Sequence, residues 1–310
     1  MTIHAGIDAG TQSIKVVLYD AASREIVASA SEPLELIGGE DGSREQHPAD
    51  WVRAMRACFE RLDAGLRARV VALAVSGQQH GFVPVDMDGN VLAPAKLWCD
   101  TSTTAECARI MDAVGGGQRT IELAGNPILA GYTASKLPWT KTHRPDAYAR
   151  LATILLPHDY LNFVLTGQRF CEYGDASGTG WLDVRTRAWS TELLRATDPD
   201  RDLAACLPRI AAPDALFDID PAIAAQVGLS PTAKVAAHTN CDLSDPASID
   251  AALSRIEGPI SALLNIAGVP GTVGAEKTMR VNLLGLRHLT EGLWDRITDN
   301  GCIVNVASIA

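Results

Sequence analysis

Residues 70–75, VVALAV, are an almost continuously apolar run that stops at Ser76 and Gly77. A strand of that composition has no face to offer water, so it must be covered on both sides, as inner strands of helix-flanked sheets are. The preceding residues supply strand partners and cover. Residues 3–8, 13–19 and 25–30 read as short strands punctuated by Ala9, Gly10 and Thr11 and by residues 20–23, the spacing of an antiparallel meander. Residues 48–68 read as a helix with Pro48 in its first turn. Trp51, Met55, Cys58, Phe59, Leu62 and Leu66 fall at helical spacing and face a core. The predicted class is α/β.

Residues 82–85 and 91–97, flanking Asp88 and Gly89, predict a hairpin. Thr103 and Glu106 form a capping-box pattern for a helix through Val114, ended by three glycines at 115–117. Further helices are expected over 134–142, 159–165 and 191–196. After Ser230 the texture changes. From Val235 onward apolar strands alternate with amphipathic helices, which argues for a parallel sheet. One helix follows Asp245 and Pro246 and carries Ile249, Leu253 and Ile256; a strand covers 262–266. A long helix then carries Met279, Leu283, Leu286, Leu293 and Ile297, and 303–306 form the last strand. Residues 211–226, rich in Ala, Pro and Asp, read as the approach to a domain boundary, giving domains 1–232 and 233–310.

A formal charge of −10 argues against nucleic acid or an anionic membrane as the main partner, because a phosphate-binding surface needs a basic excess. The seven cysteines are scattered, with no C-x-x-C pair, which fits reduced thiols better than a disulfide framework or a zinc site. No apolar run approaches the roughly 20 residues that span a bilayer. The first residues lack the basic-then-apolar pattern of a leader. A cytoplasmic protein is expected.

Asp8 ends a strand and is followed by Gly10 and Thr11, so backbone N–H groups can face phosphate while the carboxylate holds Mg²⁺ directly or through water. A polar hairpin turn would look the same. Gln78, Gln79 and His80 come directly after the buried strand, where open α/β sheets place ligands, and amide and imidazole groups suit sugar hydroxyls. Trp98 and Asp100 follow another strand and offer an apolar surface and an acceptor; a core tryptophan and a helix cap are the plainer readings. Asp175 lies among small residues in EYGDASGT, residues 172–179, with room for a substrate. A carboxylate there can orient an attacking hydroxyl and accept its proton during phosphoryl transfer, or simply cap a turn.

Taken together in order, GIDAGT (6–11), SGQQHG (76–81), KLWCD (96–100), GNP (125–127), SKL (135–137), LPHDY (156–160), LTG (165–167) and GDASGT (174–179) resemble the N-terminal domain of the FGGY carbohydrate kinase family, in its xylulokinase-like form. The resemblance covers about residues 1–232. It implies an actin-like, ribonuclease-H-like lobe using ATP and Mg²⁺. It implies Asp175 as general base, Asp8, with Gly10 and Thr11, on the Mg-ATP side, and Gln79, His80, Trp98 and Asp100 at the sugar. Many xylulokinase-like members carry Met where this chain has Gln79, which leaves another pentulose, or fructose, open beside xylulose.

That family has a second lobe holding most nucleotide contacts, and the pattern after residue 232 differs from its opening. Residues 235–310 instead resemble the middle of a short-chain dehydrogenase/reductase, a partial Rossmann-type βαβαβ unit. Asp242 is similar to that family's adenine-side acid, Asn265 and Gly268 to its N-x-A-G turn, Asn282 to its helix asparagine and Ser308 to its catalytic serine. The glycine-rich diphosphate loop is absent and the Tyr-x-x-x-Lys pair is expected beyond Ser308, so NAD(P) chemistry is not expected. Three readings follow: a sugar kinase, a catalytically inactive chimeric product that retains sugar binding, and, last, an NAD(P)-dependent oxidoreductase. An exposed sheet edge in the C-terminal part invites self-association.

Overall fold

The computed structural model describes residues 2–23, 25–212, 215–236, 245–254, 260–265, 276 and 279–305. The chain divides into two compact units, Met1–His238 and Thr239–Ala310. Among the described residues no helix is long and apolar enough to cross a membrane.

The first unit is organised by a mixed sheet. Its strands are β1 (Ile3–Ala9), β2 (Ser13–Asp20), β3 (Glu25–Pro33), β4 (Val70–Gly77), β7 (Leu216–Asp218) and β8 (Lys234–Ala236), in the order β7-β8-β4-β1-β2-β3. β1, β2 and β3 pair antiparallel, as the meander spacing requires, while β4 runs parallel to β1 with Ile7 opposite Val75. β8 adds parallel to β4, with Val235 opposite Leu73. This is the mixed sheet expected of an actin-like lobe.

Helix α1 (Pro48–Arg61) lies against the meander and buries Trp51, Met55, Cys58 and Phe59 with Ile7, Val16 and Leu18 in one apolar core. Each such side chain removed from water contributes roughly 1.5–3 kcal/mol. The predicted helix through residue 68 breaks earlier. Leu62 is extended, and Asp63 accepts a hydrogen bond from the Leu66 N–H at 2.9 Å, capping a separate turn at Ala64–Arg67.

Other expectations are corrected by tertiary partners. β5 (Val83–Val85) pairs antiparallel with β6 (Thr153–Leu155), whereas its predicted hairpin partner contributes only isolated bridges at Val91 and Lys96. Pro94 has no N–H to give a ladder there. Helix α2 (Thr104–Ala113) does follow Thr103, but the Thr103 hydroxyl turns inward to the Ala130 carbonyl at 3.2 Å and the Ser135 hydroxyl at 2.8 Å, so the capping box is not made. Helices α3 (Thr133–His143) and α4 (Pro157–Thr166) cover the stretches assigned to them. Residues 211–226, the expected approach to the boundary, pack into the first unit, with Ala211, Phe217, Ile219 and Ala224 buried in its core. Val235, just past the expected boundary at 232/233, pairs into this sheet.

In the second unit, α5 (Pro246–Leu253) is capped by Asp245, which accepts from the Ala247 N–H at 3.0 Å. Strands β9 (Ile260–Asn265) and β10 (Ile297–Asn305) pair parallel. The expected long helix stops short of Ile297: Arg280–Gly285 and Leu286–Leu293 are helical, and Ile297 opens β10. Ile249 and Val281 are buried together.

Candidate active site

Parallel β1 and β4 end side by side, with Asp8 opposite Ser76 and Ala9 opposite Gly77. Their carboxyl ends therefore deliver two loops, Gly10–Thr11 and Gln78–His80, to one edge of the sheet. The Gln78 N–H donates to the Ala9 carbonyl at 2.8 Å and ties the loops together. Asp8 is exposed. Gly10 lies tight against the following strand, where a Cβ would stand 3.2 Å from the Ser13 carbonyl oxygen.

A hydrogen-bond chain joins this edge to Trp98. The Trp98 indole donates to the Thr11 hydroxyl at 2.9 Å, and that hydroxyl donates to Gln78 Oε1 at 3.2 Å. Gln78 Nε2 donates to Gln46 Oε1 at 3.0 Å, and Gln46 Nε2 returns to the Thr11 carbonyl at 2.8 Å. Trp51 also donates to Gln46 Oε1, at 2.9 Å. Gln46 is thus a buried hub with no signal in the sequence, since it stands among the polar residues Arg44, Glu45 and His47 and nothing local singles it out.

His80 has a left-handed backbone, φ 58°, which is uncommon outside glycine and is kept only where surroundings enforce it. The enforcement is visible. The His80 carbonyl accepts from Lys136 Nζ at 2.6 Å and from the Thr133 hydroxyl at 3.2 Å, both groups carried by the first turn of α3. The ring leans on Tyr132, centroids 4.7 Å apart, and faces Gly178, where a Cβ would fall 1.9 Å from its Cε1. Lys136 is sealed from water, and burial pushes its ammonium down to about 7 although Asp100 pulls the other way. Burial likewise lowers the His80 imidazole, with Asp175 opposing.

Asp175 sits in the short helix Tyr173–Ala176, whose preceding residue Glu172 accepts from the Gly174 and Asp175 N–H groups. Its carboxylate is 5% exposed, with Oδ1 3.8 Å from His80 Nδ1 and Oδ2 3.3 Å from His158 Nδ1. Neither oxygen receives a full hydrogen bond among the described residues. A buried acceptor in that condition is costly unless a donor completes it, and a substrate hydroxyl is such a donor.

Asp175 and His80 are therefore brought together; Gln79, exposed, follows Gln78 on the same loop, and Trp98 is half exposed on the Thr11 side. Asp100 departs from its expected place at the sugar. It is fully buried and takes Lys96 Nζ at 2.8 Å, the Arg44 N–H at 2.9 Å, and the Ser102 N–H and hydroxyl at 3.0 and 2.6 Å. Burial pushes its carboxyl up, but Lys96, Ser102 and Arg44 outweigh it and hold the pKa below the ordinary value. With its oxygens so occupied, Asp100 anchors the segment carrying Trp98. Asp242, Gly268 and Ser308 lie outside the described residues, as do the side chains of Asn265, at the end of β9, and Asn282.

Among the described residues no cluster of three or more His, Cys, Asp or Glu is arranged to hold a metal ion by itself. A single exposed carboxylate at a strand end suits Mg²⁺ in the manner usual for nucleotide sites, with one protein oxygen and the remaining ligands from phosphate and water.

The profile of the FGGY family of carbohydrate kinases, N-terminal domain, matches residues 3–240. Xylulose kinase of Haemophilus influenzae is 36% identical over 239 residues, covering 74% of this chain and 48% of that protein. Xylulose kinase of Bacillus subtilis is 34% identical over 233 residues, covering 74% and 46%. The chain thus spans just under half the length of these relatives. Among solved structures, xylulose kinase from Bifidobacterium adolescentis aligns with TM-score 0.65 at 27% identity, covering 85% of this chain and 56% of that one. Gluconate kinase from Lactobacillus acidophilus aligns with TM-score 0.67 at 25% identity, covering 85% and 52%.

Proposed function

The chain belongs to the FGGY family of carbohydrate kinases, and from that premise we propose that it forms the sugar-binding lobe of an ATP-dependent kinase acting on a primary hydroxyl of a ketopentose such as D-xylulose. The observation that carries this reading is the Asp175 carboxylate, buried and short of donors beside His80. Its reach toward a hydroxyl is what proton acceptance in phosphoryl transfer requires. The names of the xylulose kinase relatives favour the ketopentose; the gluconate kinase alignment and Gln79 keep a neighbouring sugar as the alternative outcome.

In this reading His80 and Gln79 hold sugar hydroxyls, and Trp98 supplies an apolar wall fixed by its bond to Thr11. Asp175 orients the attacking hydroxyl and takes its proton. Asp8 would hold Mg²⁺, and Gly10 and Thr11 would face the phosphates of ATP. Bound Mg²⁺ supplies neutralisation of phosphate charge. The Gln46 network keeps the two loops in register, and positioning is most of what such catalysis demands.

The test is D-xylulose-dependent ADP release by the purified chain, with Asp175→Ala abolishing it; an unchanged rate in that variant would sink the base assignment. A second reading is sugar binding without transfer. It is favoured by the second unit, whose parallel β9–β10 pair we read as part of a dehydrogenase-like βαβ fragment with an exposed edge. Saturable sugar binding with no ADP release would select it, and NADH binding by the chain would revive the oxidoreductase reading.

A further inference from the structure

Two imidazoles flank the Asp175 carboxylate, and they are unlike. His80, 3.8 Å from Oδ1, sits on the loop after β4 with its side chain a fifth exposed. His158, 3.3 Å from Oδ2, sits in the first turn of α4 and is 4% exposed. The far nitrogen of His158 lies 3.1 Å from Asp159 Oδ1 and 3.9 Å from Glu172 Oε1. One ring therefore has an aspartate oxygen facing each nitrogen at ion-pair distance, although neither Asp159 Oδ1 nor Asp175 Oδ2 receives a full hydrogen bond among the described residues. A neutral imidazole carries a single N–H and serves only one of them; the doubly protonated ring serves both.

Both ends of this bridge are tied to backbone. Asp159 Oδ2 accepts from the Leu156 N–H at 3.2 Å, which fixes its carboxylate at the start of α4. The Asp175 N–H donates to Glu172 Oε1 at 2.6 Å. Behind the ring, a Cβ on Gly77 would lie 3.4 Å from the His158 Cβ, so the end of β4 closes that side. Among the described residues, the titratable groups around the ring are Asp159 on its own helix, Glu172 and Asp175 from the later turn, His80 beyond Asp175, and the Cys171 thiol. Burial opposes charging His158, but Asp159 and Asp175 outweigh it and hold the imidazole well above its ordinary pKa. The same carboxylates add to burial in raising the Cys171 thiol.

We propose that His158 is the positioning residue for the base: an imidazolium strapped between Asp159 and Asp175 that fixes the Asp175 rotamer, engages Oδ2 and leaves Oδ1 to receive the sugar hydroxyl proton. The proposal rests on Asp175 being the base, and its test separates the two. Imidazole ¹⁵N NMR of the full chain reads the bridge without any turnover. His158 is expected to stay doubly protonated at neutral pH, and Asp175→Asn to lower its titration midpoint, because one of the two carboxylates that favour the charged ring is then neutral. A His158 that titrates near 6.5, or one that Asp175→Asn leaves unmoved, overturns the bridge.

Two substitutions then read its purpose. In His158→Asn the amide nitrogen stands where Nδ1 stood and still donates to Asp175; in His158→Gln the amide reaches toward Asp159 instead. With folding of each variant confirmed by its urea midpoint, kcat is expected to hold within about tenfold in the first. In the second it falls on the order of 100-fold with little change in sugar KM. Equal losses in both, or a loss confined to KM, overturn the positioning role. If the parent chain transfers no phosphate, the reading of the reaction fails, and the NMR titration still decides whether the bridge exists.

Discussion

Phe59 and His158 are both sealed from water, 0% and 4% exposed, and little else about their surroundings is alike. Phe59 lies in the layer between α1 and the meander, among Trp51, Met55, Val16 and Leu18, where almost every neighbour is carbon. His158 lies one layer up, at the sheet's carboxyl edge, with Asp159, Glu172 and Asp175 around its ring. The lower layer gains free energy from each group it buries. The upper layer loses free energy on each charge it buries unless a well-oriented, hydrogen-bonded partner stands beside it. Stability is thus built in one place, and geometry is held at a cost in the other. Substitutions should separate along that line: losses of stability below, losses of activity or binding above.

The sharpest break is Asp175→Ala. It is expected to lower sugar-dependent ADP release by about 10²–10⁴-fold, the usual weight of a general base, while far-UV circular dichroism stays that of the parent. Phe59→Ala is the converse. Emptying that volume is expected to cost about 3–5 kcal/mol, seen as a lower urea midpoint at unchanged slope, with sugar affinity retained wherever the chain is folded. If Phe59→Ala weakened sugar binding in the folded protein as much as Asp175→Ala weakens turnover, the two layers would not be separable. Gly178→Ala lies between them. A Cβ there meets the His80 ring at 1.9 Å, and the ring, wedged against Tyr132, has to turn away. Calorimetry with D-xylulose is expected to show affinity down by about tenfold or more, with a stability cost of about 1–3 kcal/mol from the overpacking. Unaltered affinity would remove His80 from the sugar site.

The lower layer was readable in the sequence because its signals are local. The alternation in β1 and β2, the helical spacing of Trp51, Met55 and Phe59 and the apolar run of β4 each need only a few neighbouring residues to be recognised. Pairings over distance were not: β5 makes its continuous ladder with the distant β6, while the nearer segment, interrupted by Pro94, adds only isolated bridges. The upper layer was legible only in part. Asp175 stands out by its motif and the small residues around it, and His80 by its place after the buried strand. Asp100 was read as a free acceptor because nothing local announces that Lys96 and the Arg44 N–H converge on it. His158 is one letter of LPHDY in the sequence, and its meaning arises only when the Glu172–Asp175 turn folds back onto α4. Lys136 is one letter of SKL in the sequence, yet in the fold it joins Thr133 in keeping His80 in its left-handed conformation.

Lys136 offers the finest test of the contrast, because a buried cation in the upper layer leaves a signature in the pH dependence of stability. Burial holds its pKa at about 7, against 10.5 for an ordinary lysine. Between those values the unfolded chain binds a proton here that the folded chain largely does not. Stability contributed by this site therefore rises as pH climbs from 7 toward 10.5, and it is lost again as the pH falls back through that window. The slope is bounded at about 1.4 kcal/mol per pH unit for a single proton. Lys136→Met has no proton to exchange, so urea unfolding at several pH values within the window is expected to give the variant a curve less steep than the parent's. Identical slopes would mean that the ammonium stays charged against the His80 and Gly131 carbonyls, which accept from it at 2.6 and 2.7 Å. The upper layer would then hold His80 with a charge-assisted hydrogen bond from a full ammonium, in place of a lysine poised near neutrality.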